Sequence, residues 1–144
     1  MVPRRASHKL ARSYISATST CKPRELLALC EEVATGIVGT GLHRGAKARI
    51  TVTSRGQNAL IFRIGYKTAA MNFRVDVSRA SQRTYLISRI TGFKVRQDTF
   101  LGFIPAGPRR LVGWKFYSDF MTNLEDAIYE LDANAEVEIL EQAG

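Results

Sequence analysis

Apolar and polar side chains alternate along much of the middle of the chain. Ala48, Ile50 and Val52 alternate with Arg49, Thr51 and Thr53. Leu60, Phe62, Ile64 and Tyr66 hold one parity of the next segment, and Met71, Phe73, Val75 and Val77 alternate with Asn72, Arg74 and Asp76. A period of two belongs to strands with one packed and one wetter side, so these segments predict an antiparallel sheet. The turn residues Ser54 to Asn58 and the short linkers elsewhere favour hairpins in chain order over crossovers. Ser13–Ser19 predicts a first strand and Glu136–Leu140 a last one. Tyr85 to Phe100 is long for one strand and its apolar phase changes, with Leu86 and Ile90 on one parity and Phe93 and Val95 on the other. A bend or bulge at Gly92, or two strands joined there, reconciles them.

Two segments carry a helical period instead. Leu26, Leu27, Leu29, Cys30, Val33, Ala34 and Ile37 recur at spacings of three and four, which predicts a helix over 23–37. Pro23 suits its first turn and Glu25 its positive end. The glycine-rich stretch from Gly36 to Gly45 terminates it. Phe116, Phe120, Met121, Leu124, Ile128 and Leu131 mark a long second helix, whose other face carries Asp119, Glu125, Asp126 and Glu130. Between sheet and second helix, Gly102 to Gly113 contains Pro105 and Pro108 and reads mostly as loop. Each element has one face to bury, so the fold class is α+β: an antiparallel sheet of five to seven strands, packed on one face by an N-terminal helix and a long C-terminal helix. A single domain is expected over 13–144, preceded by a flexible basic tail at 1–12.

Composition narrows the class. At 144 residues and 45% hydrophobic, the chain supports one domain with an ordinary core. Its apolar runs are too short to span a bilayer, and its start shows no secretory pattern. Cys21 and Cys30 form no disulfide framework; both are expected reduced, with Cys30 acting as a small buried hydrophobe on the first helix. The location expected from these features is cytoplasmic.

Charge changes the picture more. The net charge is +8, but residues 40–110 hold 14 Lys or Arg against Asp76 and Asp98, whereas residues 111–144 hold Lys115 against eight acids. A molecule polarised this way attracts an anionic partner to one side or pairs with its own opposite end. By parity Arg49, Arg63 and Arg74 fall on the sheet face opposite the apolar one, where they form a cationic plate suited to a polyanion. Nucleic-acid-binding sheets also display aromatics for base stacking, and Phe62, Tyr66 and Phe73 all fall on the core parity. General polyanion affinity therefore stands as an alternative only, and base-specific reading is not expected.

No catalytic constellation emerges. The stretch Gly39 to Gly45 follows a helix and precedes a strand, the reverse of a phosphate-binding loop, and lacks the Gly-Lys-Ser/Thr ending. His43 has neither an orienting carboxylate near it in sequence nor enough companions for a zinc site. No nucleophile elbow is present. Catalytic residues, metal ligands and cofactors are accordingly expected to be none. The segment Phe103 to Arg110 is the most distinctive locally. Its prolines constrain the backbone and its Arg109 and Arg110 arrive just before the long helix, where helix amides favour an anion.

The order of a strand running into a helix over Ser13–Leu29, an antiparallel sheet, and a long helix at Phe116–Leu131 resembles the helix-grip architecture of START-like and polyketide-cyclase-like proteins, over roughly residues 13–131. The resemblance implies a cavity between sheet and long helix of the kind that family uses for lipids, sterols or polyketides, with a ligand against Phe62, Phe73 and Phe120. The Gly36–Gly45 stretch stands where the family has further helical structure, and the strand after the long helix is an addition. The first functional expectation is a non-enzymatic binding protein that holds an apolar ligand with an anionic group, steered by Arg109 and Arg110. The alternatives are a cationic surface for nucleic acid or another polyanion, and a homo-oligomer in which the acidic helix meets the basic sheet of a neighbour.

Overall fold

A computed structural model describes residues 8–40, 47–65, 69–96, 99–102, 104–105 and 110–141, with Thr40, Lys47, Thr99, Phe100 and Arg110 described by backbone alone. The chain forms β1 (Tyr14–Ser19), α1 (Pro23–Thr35), β2 (Val38–Thr40), β3 (Lys47–Arg55), β4 (Ala59–Gly65), β5 (Ala69–Ala80) and β6 (Arg83–Phe93). Four two-residue strands follow: β7 (Val95–Arg96), β8 (Thr99–Phe100), β9 (Ile104–Pro105) and β10 (Arg110–Leu111). The long helix α2 (Trp114–Leu131) and β11 (Glu136–Leu140) complete the chain. Seven strands make one antiparallel sheet in the order β11-β1-β6-β5-β4-β3-β2. The α+β class and its two covering helices are as the periodicity predicts.

Strands β2 to β6 run as a meander, as short linkers dictate. The first strand does not join at the meander's start: β1 lies between β6 and β11, with Tyr14 opposite both Arg89 and Leu140. The edge strand β2 arises inside the stretch read from sequence as a glycine-rich connection. Its glycine allows close packing, since a Cβ on Gly39 would stand 3.4 Å from the ring of Phe116. Part of the expected tail is also folded. Lys9–Arg12 form a 3₁₀ turn capped by His8, whose Nδ1 accepts from the Leu10 N–H, and Leu10 and Ala11 pack against the core.

One parity of every long strand faces the helices. Ile15, Ala17, Ile50, Phe62, Ile64, Phe73, Val75 and Leu86 are buried there against Leu26, Cys30 and Ala34 of α1 and against Phe116, Phe120, Leu124 and Ile128 of α2. Three bulges interrupt this alternation. The pairing skips Thr53 on β3, Ala70 on β5 and Thr91 on β6. The bulge at Thr91 sits beside Gly92 and produces the phase change seen in the sequence, so Ile90 and Phe93 both reach the core. The bulge at Thr53 turns Arg55 toward the helix side, where its guanidinium pairs with Glu31 of α1. Burial pushes the Cys30 thiol up to about 12, which keeps it protonated and unreactive.

Asp132 ends α2 and ties it to the turn between β1 and α1. Its Oδ2 accepts from the Ser19 hydroxyl at 2.9 Å and the Thr20 N–H at 3.2 Å, and its Oδ1 accepts from the Asn134 N–H at 3.0 Å. These bonds, that from Ser19 foremost, hold its carboxyl below the ordinary 3.8. A depressed folded-state pKa gives stability that is present above the ordinary value and is lost as pH falls through the folded one. Asp132→Asn is therefore expected to lower stability at neutral pH and to converge with the wild type below the carboxylate range. Urea midpoints measured across acid pH check this, and a constant gap between the two proteins would refute it.

Candidate functional site

The helices cover one face of the sheet, and the described residues leave the other uncovered. Arg49, Arg63, Arg74 and Arg89 stand on this open face, one on each of β3, β4, β5 and β6, which are consecutive neighbours in the sheet. Arg49, Arg74 and Arg89 are exposed and Arg63 is half-buried. The placement follows from alternation: Ala48, Ile50, Phe62, Ile64, Phe73 and Val75 point into the core, so the residues between them point out. Arg49, Arg63 and Arg74 thus lie on the face the sequence assigned to them, and Arg89 joins them.

Register sets the spacing. Arg74 lies directly opposite Arg89 across β5 and β6. On β4 the residue opposite Arg74 is Ile61, and Arg63 lies two residues further along; on β3 the residue opposite Arg63 is Thr51, and Arg49 lies two further in the same direction. Diagonal neighbours of this kind are about 7–8 Å apart and direct ones about 5 Å. The Cα positions of the four arginines therefore form one oblique row across the sheet. Like charges placed directly opposite destabilise a sheet. Asp76 offsets part of that, since Arg74 Nε donates to both of its carboxylate oxygens at 2.8 and 2.9 Å. Beyond the row, Lys94 and Arg96 are exposed on the continuation of β6.

The expectation that this face lacks aromatics is corrected. Tyr14 on β1 and Tyr85 on β6 both stand on it, Tyr85 with 46% of its surface exposed. Tyr14 lies directly opposite Arg89, and its hydroxyl donates to Glu138 Oε1 at 3.4 Å. Ile61 and Ile87, half-exposed, add apolar surface between the cations. Phe62 and Phe73 do fall on the core side, but they belong to β4 and β5 alone. The outward tyrosines come from β1 and β6, and only strand order brings them beside the arginines. Their parity was readable, because Tyr14 precedes buried Ile15 and Tyr85 precedes buried Leu86. The acids Glu136 and Glu138 on the β11 edge bound the cationic region on that side.

The residues expected to line a ligand cavity are packed against one another. Phe62, Phe73 and Phe120 are each fully buried. Phe73 stacks on Phe62 at 4.8 Å between ring centroids, meets Phe120 at 4.8 Å and meets Tyr117 at 4.9 Å. A ligand seated against these three rings would have to separate them. The Tyr117 hydroxyl shares a buried hydrogen bond with Ser88 at 3.0 Å, and burial raises its pKa well above the ordinary value. Arg109 lies outside the described residues; the backbone of Arg110 pairs with Arg96 in a two-stranded ladder. His43 also lies outside them. On the outer side of the helix layer, an open groove of about 470 Å³ runs between α1 and α2, with Leu29, Val33, Ile37 and Ala127 among its lining residues and Glu32 and Glu130 contributing carboxylates.

No metal-ligating cluster of His, Cys, Asp and Glu occurs among the described residues, and no helix among them is long and apolar enough to cross a membrane. No protein-family model, curated protein or solved structure matches the chain.

Proposed function

We propose that this protein binds a polyanion, specifically a nucleic acid, through the open face of its sheet. The observation that carries this reading is the oblique row Arg49, Arg63, Arg74 and Arg89 across four adjacent strands. Guanidinium groups suit phosphate oxygens because their planar donors bond in pairs and stay charged at any physiological pH. A rigid sheet holds the row in place before the partner arrives, which reduces the ordering cost of binding. Two of the cations directly oppose each other at a cost to the sheet, an arrangement that an anion between them would relieve. The acidic α2 lies on the other side of the sheet from the row, so an approaching polyanion is steered to the open face.

Fluorescence anisotropy of a labelled oligonucleotide, titrated over a range of salt concentrations, tests the reading. Four phosphate contacts predict that log K falls against log salt with a slope of about −3. Arg89→Gln is expected to reduce the steepness by about one. Removal of two charges from the helix layer, by Lys22→Gln with Arg24→Gln, is expected to leave it nearly unchanged. Absence of binding at low ionic strength, or equal losses from both sets of substitutions, would overturn the proposal.

A further inference from the structure

Building on the nucleic-acid reading above, we infer that the open face takes a single strand, its phosphodiester chain lying along the row from Arg49 to Arg89 and an unpaired base stacking on Tyr14. Cations alone do not distinguish a single strand from a duplex, because both present phosphates. Aromatic rings on the same face do. The π-faces of paired bases are covered by their neighbours in the duplex, whereas an unpaired base offers its face to a ring.

The register places the ring where the row ends. Arg49, Arg63 and Arg74 advance by one strand and two residues at each step, Arg89 is reached directly across from Arg74, and Tyr14 directly across from Arg89. The three steps between the arginines cover about 20 Å by the spacing of direct and diagonal pairs, enough for a few nucleotides. Each diagonal step is of the same order as the separation of successive phosphates along one strand. Tyr85 lies on the same strand as Arg89, four residues or about 13 Å along it, and presents a second platform to one side. Ile61 and Ile87, on the same strands as Arg63 and Arg89, give bases that lie down on the sheet an apolar floor. Two features limit the path. Asp76 holds Arg74 from the same face, and Glu138 accepts from the Tyr14 hydroxyl. A strand would therefore run on the side of Arg74 away from Asp76 and end at Tyr14, before the acids of β11.

The test compares a labelled single-stranded oligonucleotide with the duplex of the same sequence, heparin, and vesicles containing anionic lipid, all at one salt concentration. The single strand is expected to bind at least about tenfold more tightly than the duplex. Tyr14→Ala and Tyr85→Ala are each expected to weaken single-strand binding about fivefold or more while leaving heparin binding unchanged. Tyr14→Phe keeps the ring and is expected to retain affinity. Both tyrosines lie outside the core, so thermal melts of these variants should match the wild type. Equal binding of single strand and duplex, with no effect of either tyrosine, would overturn the single-strand inference and leave the nucleic-acid reading standing. Binding to vesicles alone, or to none of the probes, would overturn both.

Discussion

Phe73→Ala is expected to destabilise the protein by about 3–5 kcal/mol, the cost of deleting a fully buried aromatic ring. Phe73 is the centre of the aromatic cluster, touching Phe62, Phe120 and Tyr117 at centroid distances of 4.8, 4.8 and 4.9 Å. The substitution removes the transfer free energy of the ring and also the ring–ring geometry, worth about 0.5–1.5 kcal/mol for each favourable pair. Because Phe73 joins the middle of the sheet to α2, the cavity left behind is bordered by side chains already tied into other contacts and collapses poorly. Domains of this size have about 5–15 kcal/mol of stability in total, so the variant should sit close to unfolding at physiological temperature. Phe73→Leu keeps most of the volume and is expected to lose clearly less. Urea unfolding of both variants measures this. A loss below about 1 kcal/mol for Phe73→Ala would mean the rings are loosely held, and would return weight to a ligand between sheet and helix.

Gly113→Ala is the second substitution with a large expected effect, about 1–3 kcal/mol. Gly113 has φ +87°, a conformation that costs residues with a side chain. Its surroundings are closed as well, since an added Cβ would meet Met71 Cβ at 3.4 Å and Ile64 Cγ2 at 3.6 Å. The residue is the N-cap of α2, and its carbonyl accepts from the Phe116 and Tyr117 N–H groups at 3.1 and 3.3 Å. A backbone shift there would carry α2 away from β4 and β5 and disturb the cluster around Phe73. Differential scanning calorimetry of Gly113→Ala reads the cost. For comparison, Gly102 also has positive φ, +82°, but has open space where its Cβ would stand. Gly102→Ala should therefore lose only the conformational part, and equal losses at the two positions would refute the packing contribution at Gly113.

How much of the candidate site could be read from the chain depends on which property each residue uses. The outward direction of Arg49, Arg63 and Arg74 is local, because it needs only the parity of their own strands. Arg89 and Tyr85 share the parity opposite to Leu86 and Ile90, so their side is also local to their own strand, and the phase changes only beyond them, at the bulge at Thr91. Tyr14 is different. Its parity is plain, yet nothing within β1 says that this strand leaves the N-terminal end of the meander and inserts beside β6. The aromatic trio shows the reverse case: Phe62, Phe73 and Phe120 were legible as inward-facing, but whether inward-facing rings line a space or fill one another's depends on distances no pattern carries.

The elements and their faces follow from local pattern alone. Its periods of two and three to four set which segments become strands and helices and which side of each is buried, because burial selects side chains by their local repeat. It also determined that cations collect on the strands and acids on the last helix. Which strands are neighbours, and in what register, emerges only when the chain is folded. Strands of equal apolar alternation are interchangeable in pattern, and their pairing is settled by turns, bulges and the collective packing of the core. That choice placed Arg74 opposite Arg89, Arg89 opposite Tyr14, and Arg55 on the helix side with Glu31. It turned a basic composition into an oriented row.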